Sequence, residues 1–263
     1  MENKHLNVKL QGAVLSLQLN RPDSLNAFSP EMIEGLHREI LGAASNPDIR
    51  AIILSGAGRS FSAGGDVKTM GQAGSQETYD HIGKLNEVVL AMRSLEKPII
   101  AAVHGFAAGA AFNIALASDI ILAAEDSKFV MSFSQVGLIS DGGGLYFLPR
   151  LIGPYRAKEL FFNAQPITAE TAHQWGIINH VHPLEKLEQE AFRFAEKLAN
   201  GPAKAFGLMK KITDQSATMG LAEILEQERI TQAMMITTED HLEGVSAFKE
   251  KRKPVFSGKQ SVL

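Results

Sequence analysis

The chain has no cysteine. Disulfide staples, thiolate nucleophiles and cysteine-ligated metals are excluded at once. A strong charge bias is also missing: 26 Lys and Arg stand against 29 Asp and Glu, a formal net charge of −3. That balance leaves no electrostatic footprint for nucleic acid or an anionic membrane surface. Long hydrophobic runs are scarce as well. The stretches around Pro98–Val103 and Ile114–Ala124 are bounded or broken by Gly105, Asn113 or Asp119, and neither reaches the roughly 20 apolar residues of a membrane span. The opening Met1-Glu2-Asn3-Lys4-His5 has no apolar signal region, so a cytoplasmic location is expected. What remains is ordinary globular composition, 45% hydrophobic over 263 residues, which is enough to bury a sizeable core.

Along the chain, Val8–Leu10 and Val14–Leu19 read as strands joined at Gln11-Gly12, a hairpin pattern. Ser29-Pro30 opens a helix with a hydroxyl cap and a proline in the first turn, and Met32, Ile33, Leu36, Ile40 and Leu41 follow at helical spacing. Ala51–Ser55, Pro98–Val103 and Ile120–Ala123 are short, continuously apolar runs. Such runs alternating with helices predict a largely parallel α/β sheet covered on both faces. Gly71–Ser75 reads as a polar loop and a candidate lid. After Asp141 the pattern is almost entirely helical, through Ala157–Phe162, Ala169–Trp175, Leu184–Ala199, Ala203–Thr213, Leu221–Thr231 and Glu239–Lys251. The division expected is a core over residues 1–200 and a helical C-terminal region over 201–263.

Three constellations carry candidate chemistry. The first is Arg59-Ser60-Phe61-Ser62-Ala63-Gly64-Gly65-Asp66, directly after an apolar strand. Its paired glycines let main-chain N–H groups point into a site; equally, it is a strand-to-helix turn with Asp66 at the surface or as a cap. It matches neither a P-loop nor a dinucleotide fingerprint. The second, Val103-His104-Gly105-Phe106-Ala107-Ala108-Gly109-Ala110-Ala111-Phe112-Asn113, runs from a strand through small residues into a helix. Its unpaired N–H groups lie at a helix N-terminus, and two such turns could aim two donors at one oxygen. A close-packed turn is the alternative. The third is Gly137-Leu138-Ile139-Ser140-Asp141-Gly142-Gly143-Gly144, in which Asp141 is placed to be a helix N-cap or a titratable group.

Other polar residues point to structure. His180 and His182 lie on one strand face with no third ligand in view. His104 reads as a satisfied boundary histidine and Asp119 as a cap or turn residue. Lys249, Lys251, Arg252 and Lys253 read as a solvated helix face. No Gly-x-Ser-x-Gly elbow supports a serine hydrolase.

Asn20-Arg21-Pro22 with Asn26-Ala27, then Phe61–Asp66, then Gly105–Asn113, and finally Glu243–Phe248 with Lys251-Arg252-Lys253-Pro254 and Phe256 occur in that order. The set resembles the crotonase (enoyl-CoA hydratase/isomerase) superfamily over essentially the whole chain. The resemblance implies a spiral of ββα turns followed by a helical region, a homotrimer or dimer of trimers, and an acyl-CoA thioester substrate. It implies no cofactor beyond the coenzyme A of the substrate, and no metal. By position, Gly65 and Ala110 would donate backbone N–H groups to a thioester enolate. Substrate and CoA contacts are implied at Leu25, Ala27, Ala63, Gly65, Asp66, Val67, Phe133, Phe248 and Lys251, the last meeting a CoA phosphate.

Hydratases of this superfamily carry two glutamates where this chain has Asn113 and Phe133. Hydration shares water activation and proton delivery between two carboxylates, whereas isomerisation needs one base that removes and returns a proton. The segment Phe129–Asp141 with Leu148-Pro149-Arg150 is similar to the ring-epoxide isomerases of phenylacetyl-CoA breakdown, whose acid/base aspartate matches Asp141. Gly144-Leu145-Tyr146 departs from that branch. The expectation is an isomerase of an unsaturated or ring-modified acyl-CoA, with a 2-enoyl-CoA hydratase or a non-catalytic CoA-binding subunit as alternatives. A helix N-terminus would favour ionised Asp141, and an apolar pocket would oppose it.

Overall fold

The computed structural model describes residues 4–66 and 74–258. An antiparallel hairpin, β1 (Leu6–Gln11) and β2 (Val14–Leu19), opens the chain. Next come α1 (Pro30–Ser45), β3 (Ala51–Gly56), α2 (Ser75–Ser94), β4 (Ile99–Val103), β5 (Phe106–Ala108), α3 (Ala110–Ala117), β6 (Ile120–Ala124) and β7 (Lys128–Val130). The remainder is α4 (Gly144–Asn163), β8 (Ile167–Thr168), α5 (Ala169–Gln174), β9 (His180–His182), α6 (Leu184–Ala199), α7 (Ala203–Ser216), α8 (Leu221–Met235) and α9 (Glu239–Glu250).

The strands form two sheets. One has the order β1-β2-β3-β4-β6-β9, parallel from β2 onward; the other is β5-β7-β8. Successive units therefore leave the large sheet and touch the small one: β4–β5–α3 returns directly to β6, whereas β6–β7–α4 revisits the small sheet at β8 before α5 leads back to β9. This is the ββα spiral. Its mechanism is visible in burial. Ile52, Leu54, Ile99, Ala101 and Val103 join the core under α1, α2 and α3, while their neighbours Ala51, Ile53, Ile100 and Ala102 pack under Leu187, Ala191, Ala195 and Ala199 of α6. Both faces are covered, so the strands show no polar alternation.

Boundaries depart from the sequence reading in instructive ways. The residues after Asp141 are not all helical, because β8 and β9 add edge strands to the two sheets. Ser75 begins α2 instead of ending a loop; the proposed lid's residues 71–73 lie outside the described residues. That twenty-residue helix went unread because only Leu85, Val88, Val89, Ala91 and Met92 of it are buried, all in its second half. Asp119 is structural, as expected. Its Oδ2 accepts from the Ile99 amide at 2.8 Å and meets the buried Lys210 ammonium at 2.9 Å, pinning α7 to the start of β4.

Candidate active site

Two strand-to-helix turns form the centre of the site. Ser62 lies beside Ala107 as a parallel pair: the Ser62 amide donates to the Phe106 carbonyl at 2.9 Å, and the Ala108 amide donates back to the Ser62 carbonyl at 3.1 Å. Gly65 and Ala110 each stand three residues beyond that pair. Neither backbone N–H has a hydrogen-bond partner among the described residues. Gly64, at φ +82°, leads directly into the first donor. A Cβ on it would collide with the Ala108 carbonyl oxygen and stand 3.2 Å from the Ala110 nitrogen. Gly109, at φ +52° and ψ −122°, caps α3 with no side chain, leaving the Ala110 amide unclaimed. The arrangement can hold an oxyanion between two turns.

The first turn is braced by the segment that precedes α1. Asn26 is fully buried; its Nδ2 donates to the carbonyls of Ala57 at 2.7 Å and Ser60 at 2.8 Å, while its Oδ1 accepts from the Arg21 amide at 2.8 Å. Ser62 Oγ donates to the Asn26 carbonyl at 2.7 Å and accepts from the Gly64 amide at 3.1 Å. Leu25 and Asn26 both adopt positive φ, 49° and 54°, a strain sustained by these bonds. The Ala63 amide donates to Leu25, and Arg21 Nη1 to the Ala27 carbonyl. Asp66 arrives at the turn as a carboxylate paired with Arg21 at 3.1 Å. Asn20-Arg21-Pro22, Asn26-Ala27 and Phe61–Asp66 are thus one substructure, a connection invisible in their separate spacing.

Asp141, in the third constellation, is tied to α3 through Asn113. The helix-cap reading does not hold: the N-cap of α4 is Gly143, which makes no side-chain cap bond. The Asp141 Oδ1 is sealed from solvent with no hydrogen-bond partner. Burial pushes its pKa up to about 6 from 3.8, opposed by its own backbone amide, so desolvation wins over any helix-terminal field. Phe133 packs beside the second turn, its ring 3.6 Å from where a Cβ on Gly109 would lie. Asn113 is fully buried, and its Nδ2 donates to the Asp141 carbonyl at 2.7 Å and to Ser140 Oγ at 3.0 Å. Sequence reasoning registered Asn113 only as a missing glutamate. The signal for its role was an amide within Ala110–Ala117, otherwise apolar and wholly buried.

The remaining candidates divide. Leu25, Ala27, Ala63, Gly65, Asp66 and Phe133 belong to the two turns or their brace. Val67 lies outside the described residues. Phe248 and Lys251 stand at the end of α9, where Phe248 is 87% exposed and Lys251 takes the left-handed cap at φ 56°. No hydrogen bond or ion pair joins them to the turns among the described residues. A groove of 370 Å³ between β9 and α6, lined by His180, His182, Glu190 and Arg193 among others, contains neither turn. No three His, Asp or Glu side chains gather as a metal site among the described residues.

Residues 9–259 match the family model described as enoyl-CoA hydratase/isomerase. The chain belongs to the enoyl-CoA hydratase/isomerase family. A 1,2-epoxyphenylacetyl-CoA isomerase of Escherichia coli (strain K12) is 39% identical over 95% of this chain and 97% of its own length. A trans-2-decenoyl-[acyl-carrier-protein] isomerase of Streptococcus mutans is 33% identical over 98% of this chain and 100% of its own. Among solved structures, the enoyl-CoA hydratase from Bacillus anthracis superposes with a TM-score of 0.93 at 32% identity, covering 97% of this chain and 100% of that one. The family's spiral fold is thus the fold of this chain, and both isomerases and hydratases are near it.

Two outcomes test the geometry. Gly64→Ala forces the paired turns apart and should lower kcat/KM on an enoyl-CoA by about 10²-fold, as displacing an oxyanion donor does, with thermal stability falling by about 1–3 kcal/mol. Asp141→Asn should instead become the more stable protein as pH rises. Below about pH 4 the wild-type carboxyl is protonated folded and unfolded alike, so its burial is harmless. Between about pH 4 and 6 only the folded state keeps the proton, and wild type loses stability until a plateau above about 6. The stability difference between variant and wild type should therefore move by about 2 kcal/mol toward the variant between pH 4 and 7, after allowance for partial solvent access. Chemical denaturation of both proteins across that range measures it; a pH-independent difference refutes the raised pKa.

Proposed function

We propose that this enzyme isomerises an unsaturated or ring-modified acyl-CoA through a thioester enolate, with Asp141 as the acid/base. The observation that carries the reading is the desolvated carboxyl of Asp141, unpartnered at Oδ1, with a pKa near 6, while Asn113 and Phe133 stand where two glutamates would serve a hydratase. For a 3-enoyl-CoA, the Asp141 carboxylate takes a proton from C2. The electron pair moves through the carbonyl carbon to the thioester oxygen, held by the Gly65 and Ala110 amides. The Asp141 carboxyl gives a proton back at C4 as the pair relaxes, leaving the double bond at C2–C3. Charge reaches the oxygen only along the reaction path, so preformed amides act chiefly on the transition state. With a pKa of about 6, the base is mostly ionised at pH 7 and its conjugate acid is still competent to return the proton.

The chemistry needs no cofactor beyond the coenzyme A of the substrate. Leu25, Ala27, Ala63, Asp66 and Phe133 line the thioester, and Phe248 with Lys251 receive the CoA nucleotide. Assembly as a homotrimer or dimer of trimers belongs to the same proposal. It is supported by α8, which buries no residue within the single chain while Leu221, Leu225, Ile230 and Met234 are exposed.

Asp141→Asn is expected to lose roughly 10²–10⁴-fold in turnover while still binding CoA thioesters. Mass spectrometry of products from an enoyl-CoA panel in deuterated water reports the reaction. Shifted double bonds carrying deuterium at exchanged carbons support isomerisation; 3-hydroxyacyl-CoA as the main product overturns it, and so does near-wild-type turnover by the variant. Lys251→Ala should raise KM for the thioester more than it lowers kcat, since a remote phosphate contact is largely uniform binding. Equal sensitivity with dephospho-CoA thioesters would remove the 3′-phosphate assignment.

A further inference from the structure

We infer that Asn113 is the positioning residue for Asp141, tying the base to the same helix that presents the Ala110 amide. The inference rests on the reading of Asp141 as the base. Asn113 follows Ala110 by one helical turn within α3, so whatever it grips inherits a fixed distance from that donor. It grips the Asp141 loop at two points, the Asp141 carbonyl at 2.7 Å and Ser140 Oγ at 3.0 Å.

The loop has need of such a grip. Asp141 is followed by three consecutive glycines, with Gly142 at φ +53° and Gly143 at φ +91°, the sequence with the most backbone freedom to lose. The helix that follows receives no side-chain cap. At the carboxylate itself, Oδ1 has no hydrogen-bond partner. The carboxyl group therefore takes its position from its backbone, and its backbone is held from the carbonyl by Asn113.

The fit is close on the far side too. A Cβ on Gly144 would collide with Asn113 Oδ1 and Ser140 Oγ, and one on Gly142 would stand 3.5 Å from both Asn113 Cβ and Leu85 Cδ2. The chemistry explains why an amide occupies this place. Two oxygens face position 113, and a backbone carbonyl must be met by a donor. A carboxylate there would confront the Asp141 carbonyl oxygen with another acceptor. An Asn at 113 therefore does more than remove an acid: it supplies the donor that keeps the remaining acid in place. A misplacement of about 1 Å is enough to cost on the order of 10²-fold in rate.

The test compares Asn113→Ala, Asn113→Leu and the near-isosteric Asn113→Asp with wild type, using trans-3-octenoyl-CoA as probe. Turnover, KM, the pH dependence of kcat/KM and the melting temperature are measured on each. The expected result is a fall in kcat of about 30–100-fold with KM within about threefold. The acid limb of the profile should move below 6, because a released carboxyl gains access to water. Asn113→Asp keeps the volume but sets a second acceptor against the Asp141 carbonyl, so at pH 8 it should fall at least as far, with its acid limb raised instead of lowered by the added negative charge. A lowered melting temperature with kcat within twofold and an unmoved acid limb would show a merely structural residue and overturn the inference. Asp141→Asn run beside them separates the two claims. If it is inactive while the Asn113 variants match wild type, only the positioning role fails; if it turns over normally, the base assignment fails and the positioning role with it.

Discussion

A backbone amide cannot be aimed by choosing its side chain; it is aimed by whatever fixes the peptide planes around it. In this chain that constraint is the short parallel pairing of Ser62 with Ala107, two hydrogen bonds between segments that leave adjacent strands β3 and β4. Everything the site offers is counted from that pair. Gly64 must lack a side chain because the Ala108 carbonyl occupies the space, and Asn26 must be an amide because carbonyls converge on it from the loop between Ala57 and Ser60. The strained Leu25 and Asn26 conformations are tolerated for the same reason. Loss of the pairing would not remove a catalytic group. It would leave two N–H groups pointing at different places.

The carboxyl at Asp141 follows the opposite logic. It is fixed at the backbone and left unpartnered at Oδ1, so it remains costly to ionise and ready to take a proton. A well-paired carboxylate would be steadier and a poorer base. Stability and reactivity are traded at one side chain, and the Asn113 amide, through the Asp141 carbonyl and Ser140 Oγ, holds the backbone that the carboxyl does not hold for itself.

Much of this was legible in the chain, and the limits have physical causes. The buried parallel strands announced themselves as apolar runs because α6 covers the second sheet face. The hairpin and the Ser29-Pro30 helix start were read from local chemistry, and Ser29 does accept from the Met32 amide at 3.2 Å. The two candidate turns were recognisable as glycine- and alanine-rich strand exits. Their convergence was not, since it depends on pairing between residues 45 positions apart. Asp141 was found, but its residue chemistry alone left a cap and a titratable group both open, because a carboxylate before a helix looks alike whether it faces the first amides or is desolvated. Asn113 was seen as an absence. Its hydrogen bonds span 27 and 28 positions, a distance over which spacing carries no information.

The helix α8 has one further consequence. A fifteen-residue helix with no buried side chain draws almost nothing from tertiary packing, and isolated helices of that length are marginal in water. Within a single chain, its amides are coupled to little beyond neighbouring α7, whereas those of β3 and β4 open only when both cores come apart. Within the single chain, protection against hydrogen exchange is therefore expected to be deep around the paired turns and shallow in α8. In the single chain, local unfolding of α8 can proceed without breaking the Ser62–Ala107 pairing.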